Sequence, residues 1–318
     1  MKESTRRDFI KKSMIAASVI PFLGLPGNIW ALNNEFNPEE LSVHIFSKHL
    51  QFLDWKTMGQ RVVEMGFSGI DLTVRPKGHV LPENVKTDLP RAIKDIQNAG
   101  STCQLITTSV EDVNNPLDVD VLETAASLGV QFYRPGWFRY PENGTMESAI
   151  AHYAQKVKAL SELNQSLGIV GCYQNHSGKF VGASMWEVKQ ILAEAIPEYF
   201  GAQYDIRHNM VEGANSWENS LRLIHQNIKT IVVKDYKWGQ ENGKWQPVNV
   251  PIGEGMIDFK RYFRLLKNYG INVPVSLHME YPLGGAEKGK SILTVDERVV
   301  FDAMKKDVNS LKKLWREA

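Results

Sequence analysis

Gly201-Ala-Gln-Tyr-Asp-Ile-Arg-His-Asn-Met210 is a short apolar run that stops on a carboxylate and sets an imidazole three residues later. Side chains alternate across a strand, so Gln203 and Asp205 share one face, and His208 overhangs that face from the turn. A carboxylate and an imidazole delivered together at a strand end can hold a divalent cation or move a proton. The same pair also serves as a plain hydrogen-bonded turn. What favours chemistry is that several other strands end in the same way.

Working outward, short β-rich runs alternate with longer runs of helical spacing. Strands are expected at Ser42 to Ser47, Gly69 to Val74, Thr102 to Thr108, Gln131 to Trp137, Ile169 to His176, Gly201 to Ile206, Ile228 to Asp235 and Val273 to Glu280. Between them Val62, Val63 and Met65 precede Gly66; Leu122, Ala125, Ala126 and Leu128 precede Gly129; Val157, Leu160, Leu163 and Leu167 precede Gly168. Each is a helix that ends on a glycine, as an αβ turn requires. A last helix is expected from about Val295 to Trp315. Eight consecutive βα units predict a single-domain (β/α)8 TIM barrel over residues 41–318, for which about 250 residues is typical. The alternative, a doubly wound open sheet, calls for a glycine-rich turn after the first strand, and Phe46-Ser-Lys-His-Leu50 has none.

Residues 1–31 stand apart. Ser4-Thr-Arg-Arg-Asp-Phe-Ile-Lys-Lys12 leads into the apolar run Met14 to Leu25, the pattern of an export signal of the twin-arginine type. The run is far shorter than the roughly 20 residues of a membrane span, so the reading is a periplasmic protein with no stable membrane anchor, cut after Ala31 and followed by a linker at 32–40. Changing Arg6 and Arg7 to Lys is expected to hold the precursor in the cytoplasm, as cell fractionation would show. Mature double-lysine protein outside the inner membrane would mean another route. Setting aside residues 1–31, with five basic residues (Lys2, Arg6, Arg7, Lys11, Lys12) and two acidic ones (Glu3, Asp8), turns the formal charge of +1 into −2. That balance argues against a nucleic-acid binder. Cys103 and Cys172 are the only cysteines; both fall in apolar strand-like runs and read as buried free thiols rather than a disulfide.

In a barrel the C-terminal strand ends form the site. The second strand delivers Asp71, the fourth Arg134, the fifth Gln174 and His176, the sixth Asp205 with His208, the seventh Lys234 and Asp235, and the eighth His278 and Glu280. Parity turns Gln174, Asp205, Lys234 and Glu280 toward the barrel axis. Asp71 reads equally as a loop cap, Arg134 as the partner of a neighbouring carboxylate, and Lys234 with Asp235 as a rim ion pair. Aromatic residues crowd the same rim: Trp137, Tyr140, Tyr281, and Trp238 and Trp245 about the Asn242-Gly243 turn. Flat rings beside polar groups suit a sugar, so Trp137 and Trp238, with His176 and Arg134, are expected to contact a small carbohydrate substrate. Gly284-Gly-Ala-Glu-Lys-Gly-Lys-Ser291 matches a phosphate-loop expression, but it follows the last strand, where no sheet remains to build a nucleotide domain.

Tyr173-Gln-Asn-His-Ser-Gly178, Tyr204-Asp-Ile-Arg-His208, Val233-Lys-Asp235, Gly253-Glu-Gly-Met-Ile-Asp-Phe259 and Leu277-His-Met-Glu280 together resemble the xylose isomerase-like TIM-barrel superfamily of sugar isomerases and epimerases. The resemblance implies a divalent metal, often Mn2+, held by a fifth-strand Glu, a sixth-strand Asp, a seventh-strand His and an eighth-strand Glu. Asp205, Glu280 and the substrate-touching His208 match that pattern. The fifth-strand Glu is Gln174 here, and the seventh-strand His is Val232. The expected ligand set is therefore Gln174, Asp205 and Glu280, with His278 on the neighbouring strand offering the missing nitrogen. A lost charge and a lost ligand predict weak metal binding.

The expected activity is a sugar isomerase or epimerase acting on an unphosphorylated carbohydrate by proton abstraction next to a carbonyl, with Glu280, Lys234 and His208 as the catalytic groups. Gln174 cannot take a proton near neutral pH, which places two-base epimerisation behind isomerisation. Three other readings stay open: a lyase or hydratase of oxidised keto sugars, a non-catalytic sugar-binding barrel, and a repair nuclease, which would require more metal ligands and a basic surface. The oligomeric state is not legible.

Overall fold

The structure is a computed structural model that describes residues 40–318. The expected export signal and all of the linker except its last residue lie outside the described residues. Strands β1 (Val43–Phe46), β2 (Gly69–Val74), β3 (Leu105–Thr108), β4 (Phe132–Arg134), β5 (Val170–Gln174), β6 (Phe200–Asp205), β7 (Ile228–Val233) and β10 (Val275–Leu277) close into a barrel in that order, with β10 beside β1. Every neighbouring pair is parallel. The helices around it are α1 (Trp55–Met65), α2 (Val85–Asn98), α3 (Pro116–Ser127), α4 (Met146–Leu167), α5 (Met185–Ile191), α6 (Ile206–Gly213), α7 (Trp217–Ile224), α8 (Phe259–Asn268) and α9 (Glu297–Arg316). The chain is thus the single (β/α)8 barrel expected from its periodicity.

Local chemistry sets the units. Asp54 caps α1 by accepting from Thr57 N at 2.8 Å, and Gly66 ends it at φ 87°, a backbone conformation costly for any residue with a Cβ. A capping box of Thr145 and Ser148 opens α4, and Gly168 closes it at φ 72°. Outward-facing strand residues such as Ile45, Leu72, Ile106, Tyr133, Tyr173, Tyr204, Val233 and Leu277 are buried under the helices. Burial of each aliphatic side chain is worth about 1.5–3 kcal/mol, and this layer holds the barrel. Cys103 and Cys172 are buried free thiols.

Several strands are shorter than their extended runs, because the ladder ends where the chain turns to build the rim. The clearest case is β7, which stops at Val233 instead of reaching Asp235. Asp235 opens an antiparallel hairpin, β8 (Asp235–Glu241) and β9 (Lys244–Val250), joined through Asn242 (φ 52°) and Gly243 (φ 75°). Its carboxylate accepts from the backbone N–H groups of Tyr236 at 2.8 Å, Gly253 at 3.0 Å and Gly255 at 2.9 Å. Asp235 therefore folds the loop rather than facing substrate, and Lys234 is left alone at the break between ladder and hairpin.

Candidate active site

A cavity of about 250 Å³ opens above the strand ends, lined by Phe46, Lys48, Arg75, Arg134, Trp137, Gln174, His176, Lys234, His278 and Glu280. At its floor lies the Lys234 ammonium. Lys234 Nζ stands 2.8 Å from His208 Nε2, 3.2 Å from Glu280 Oε2 and 3.3 Å from Asp205 Oδ2, with the side chain 3% exposed. An ammonium has three N–H donors and no lone pair, and here three acceptors surround it. A charge buried this deeply persists only when it is paired and hydrogen-bonded.

The acceptors are themselves held. Asp205 Oδ1 caps α6 by accepting from His208 N at 3.0 Å, while Oδ2 also accepts from Gln174 Nε2 at 2.8 Å. Asn175 locks the Asp205 backbone, accepting from its N–H at 2.7 Å and donating to its carbonyl at 3.0 Å. Burial, and then the charge of Lys234, hold the His208 imidazole well below its ordinary pKa, so it is neutral. Its Nδ1 lies 2.8 Å from Ser177 Oγ, which also accepts from Arg207 Nη1 at 3.4 Å. Lys234 can only donate, so Nε2 accepts from it and the proton sits on Nδ1, donated to Ser177 Oγ, while Arg207 Nη1, 3.2 Å from that Nδ1, has Ser177 Oγ as its acceptor.

Glu280 is the carboxylate that reaches the cavity, its side chain 25% exposed. Burial pulls its pKa up, but Lys234 first, then the nearby His278 ring and then Lys48, whose Nζ is 3.3 Å from Oε1, outweigh that and hold it well below the usual carboxylate range. His176 lies beside it on the cavity wall. Its Nδ1 donates to the Ser177 carbonyl at 2.8 Å, which leaves the Nε2 lone pair free of that bond. Burial, then Lys234, lower its pKa. The ring is packed between Trp137 at 4.5 Å and His208 at 4.0 Å, centroid to centroid.

These residues do not fit a divalent metal. Asp205, Glu280 and His208 converge as the resemblance implies, but on the Lys234 ammonium. Val232, in register with Asp205, is fully buried and has no ligand atom. Gln174 makes the same point: its amide donates to Asp205 Oδ2 at 2.8 Å and so occupies an oxygen that a metal would need. His278 supplies no nitrogen to that centre. It stacks on Phe46 with centroids 4.3 Å apart at 17°, its Nδ1 is 3.8 Å from Glu280 Oε1, and neither ring nitrogen has a hydrogen-bond partner. Burial lowers its pKa to about 4. Among the described residues no group of three or more His, Cys, Asp or Glu side chains can hold a metal ion.

Of the expected substrate contacts, Arg134, Trp137 and His176 line the cavity, and Trp238 does not. Trp238 sits on β8, 44% exposed, carried away by the hairpin that begins at Asp235. Asp71 is buried in the barrel interior, accepting from Thr107 Oγ1 at 3.0 Å and Ser276 Oγ at 2.5 Å. Gly284 to Ser291 contains only a three-residue 3-10 turn, Ala286–Lys288, not a phosphate loop leading into a helix. Phe46, Lys48 and Arg75 line the cavity without having been singled out. The signal was present, since Phe46 and Lys48 continue the inward parity of β1, and Arg75 continues that of Thr73 on β2.

No helix among the described residues is long and apolar enough to cross a membrane. No curated protein sequence matches the chain. Several solved structures share its fold. A D-psicose 3-epimerase from Clostridium cellulolyticum H10, solved with D-tagatose, superposes with a TM-score of 0.66 at 13% identity over 86% of this chain and 99% of its own. A xylose isomerase-like TIM barrel protein from Mycobacterium smegmatis, in complex with magnesium, gives 0.65 at 11% over 88% and 99%. The probable 3-DHS dehydratase AsbF from Bacillus anthracis gives 0.62 at 13% over 86% and 98%. At these identities the likeness establishes the fold. Residues 59–294 match the sequence family described as xylose isomerase-like TIM barrel, and the chain belongs to that family.

Proposed function

We propose that the protein is a sugar isomerase-like enzyme that removes a proton next to the carbonyl of an unphosphorylated carbohydrate, with Glu280 as base and Lys234 as the fixed cation for the developing enolate oxygen. The carrying observation is the Lys234 ammonium held 2.8–3.3 Å from His208, Glu280 and Asp205. A cation held in place in a water-poor site stabilises a developing oxyanion far more than one in water does. Its three N–H groups are spent in the free enzyme, so a substrate carbonyl must compete for one of them. The hydrogen bond to Glu280 is the one that faces the cavity. Its loss weakens the ion pair and raises the basicity of Glu280 as the substrate arrives.

His176, with its Nε2 lone pair, is placed to take and return a hydroxyl proton. The fold neighbours include a D-psicose 3-epimerase and a probable 3-DHS dehydratase. Because Gln174 occupies the position of a second carboxylate base, isomerisation or the elimination and addition of water fits this site better than epimerisation between two carboxylates. The test is label uptake in deuterated water over a panel of aldoses, ketoses and keto sugars. Glu280→Gln is expected to abolish incorporation at the carbon next to the carbonyl, whereas Gln174→Ala should only slow it. Exchange that survives Glu280→Gln and is lost in Gln174→Ala would overturn the assignment of the base.

A further inference from the structure

Besides Lys234, three more cations line the cavity, Lys48, Arg75 and Arg134, and proton abstraction uses neither guanidinium. The carboxylates nearby are already committed. Glu280 gives its two oxygens to Lys48 and Lys234, Asp205 is held by Lys234 and Gln174, and Asp71, whose charge acts on both arginines, is bonded to Thr107 and Ser276. Arg134 is 4% exposed, and its Nη1 is buried without a hydrogen-bond partner. Burial, then the charge of Arg75, draw its pKa down to about 9, opposed by Asp71. It is still a cation at neutral pH.

A buried guanidinium with an orphaned N–H and a second cation beside it is a costly arrangement for a protein to keep. Its packing recovers only part of that cost. Arg134 lies over the Trp137 ring at 4.1 Å and Arg75 over the Phe46 ring at 5.4 Å, and cation–π contacts are weaker than charge pairing. Rings that cover a guanidinium face leave its in-plane N–H fork for a planar acceptor, the geometry that carboxylates meet with two parallel hydrogen bonds.

We propose that the substrate carries a carboxylate, bound by Arg134 and Arg75 with Lys48 alongside, so that the enzyme acts on oxidised sugars of the uronate or aldonate type. The inference rests on the reading of the cavity as a sugar site and names the class of sugar. A volume of about 250 Å³ lies below the roughly 300–1,000 Å³ of pockets for drug-sized ligands, and suits one monosaccharide unit. The anion anchors one end of the molecule at the arginines while Lys234 and Glu280 meet the carbonyl and its neighbouring carbon.

The test is calorimetric binding, which needs no turnover, of glucuronate, galacturonate and gluconate beside glucose, galactose and glucose 6-phosphate. At least one acid is expected to bind ten-fold or more tightly than its neutral counterpart, with affinity falling as salt rises. Arg134→Gln and Arg75→Gln should each weaken that acid about ten- to hundred-fold, the range of a lost charge-assisted hydrogen bond, and weaken the neutral counterpart by at least ten-fold less. Arg134→Lys should recover only part. Because Arg134→Gln removes a buried charge whose Nη1 has no hydrogen-bond partner, its melting temperature should be no lower than that of the parent. Arg75→Gln carries the test if that variant fails to fold. Acids binding no tighter than neutral sugars, acid affinity untouched by both substitutions, or the phosphate ester outbinding every carboxylate would each overturn the proposal. If neutral sugars exchange deuterium while acids show no preference, the reaction stands and the substrate class falls. If acids bind through the arginines and no exchange occurs, the reverse holds.

Discussion

Lys234→Met should lower the rate of deuterium exchange by about 10²–10³-fold, the loss seen when one preorganised oxyanion donor is removed. The methionine fills much the same space without the charge, so the change isolates the cation. Two further readouts separate this from simple disruption. Lys234 is the strongest of the influences that lower the Glu280 pKa against the upward pull of burial. Without it the carboxyl protonates more readily, and the acid limb of the residual rate moves to higher pH. Stability follows the same sign. A carboxylate with a depressed folded-state pKa contributes stability that is fully present above its unfolded value and lost as the pH falls through the folded one. In Lys234→Met that contribution shrinks, and with Asp205 and Glu280 left facing each other the variant should lose about 3–5 kcal/mol. Exchange within three-fold of the parent in folded Lys234→Met would remove Lys234 from the chemistry.

Lys234→Met combined with Gln174→Glu should convert the centre into a metal site. The pair removes a positive charge from among Asp205, Glu280 and His208 and adds a negative one beside Asp205, whose Oδ2 now accepts from Gln174 at 2.8 Å. A unit charge about 4 Å from a dication is worth roughly 8 kcal/mol at an effective dielectric of 20, before desolvation. Two such changes make a hundred-fold gain in Mn2+ affinity over the parent, read by calorimetry, a modest expectation. The carboxylates and imidazole also offer the oxygen and nitrogen donors that such an ion takes. Equal affinity in parent and double variant would show that the ammonium does not hold the position of the ion.

The alternation of β-rich and helical runs, with Gly66, Gly129 and Gly168 at helix ends, was enough to predict the barrel and its strand order, because both periodicities are local consequences of backbone geometry. Parity also told which strand ends face inward, and so found Gln174, Asp205, Lys234 and Glu280. The departures at Gln174 and Val232 were visible as well, and they weakened the case for a metal before any side chain was placed.

What the chain could not disclose by itself was how those groups use one another. That Lys234 reaches into the midst of His208, Glu280 and Asp205 depends on closing β6, β7 and β10 side by side and on Asp235 spending its carboxylate on a distant loop. Trp238 looked like a rim aromatic until β7 proved to end at Val233 and a hairpin carried the ring outward. Lys48 and Arg75 become part of the cavity only when β1 and β2 meet the far end of the chain. Parity is a property of two neighbouring peptide units, but the partner of a buried charge is chosen among groups brought together by barrel closure. The orphaned Nη1 of Arg134 is accordingly a fact of the tertiary structure alone.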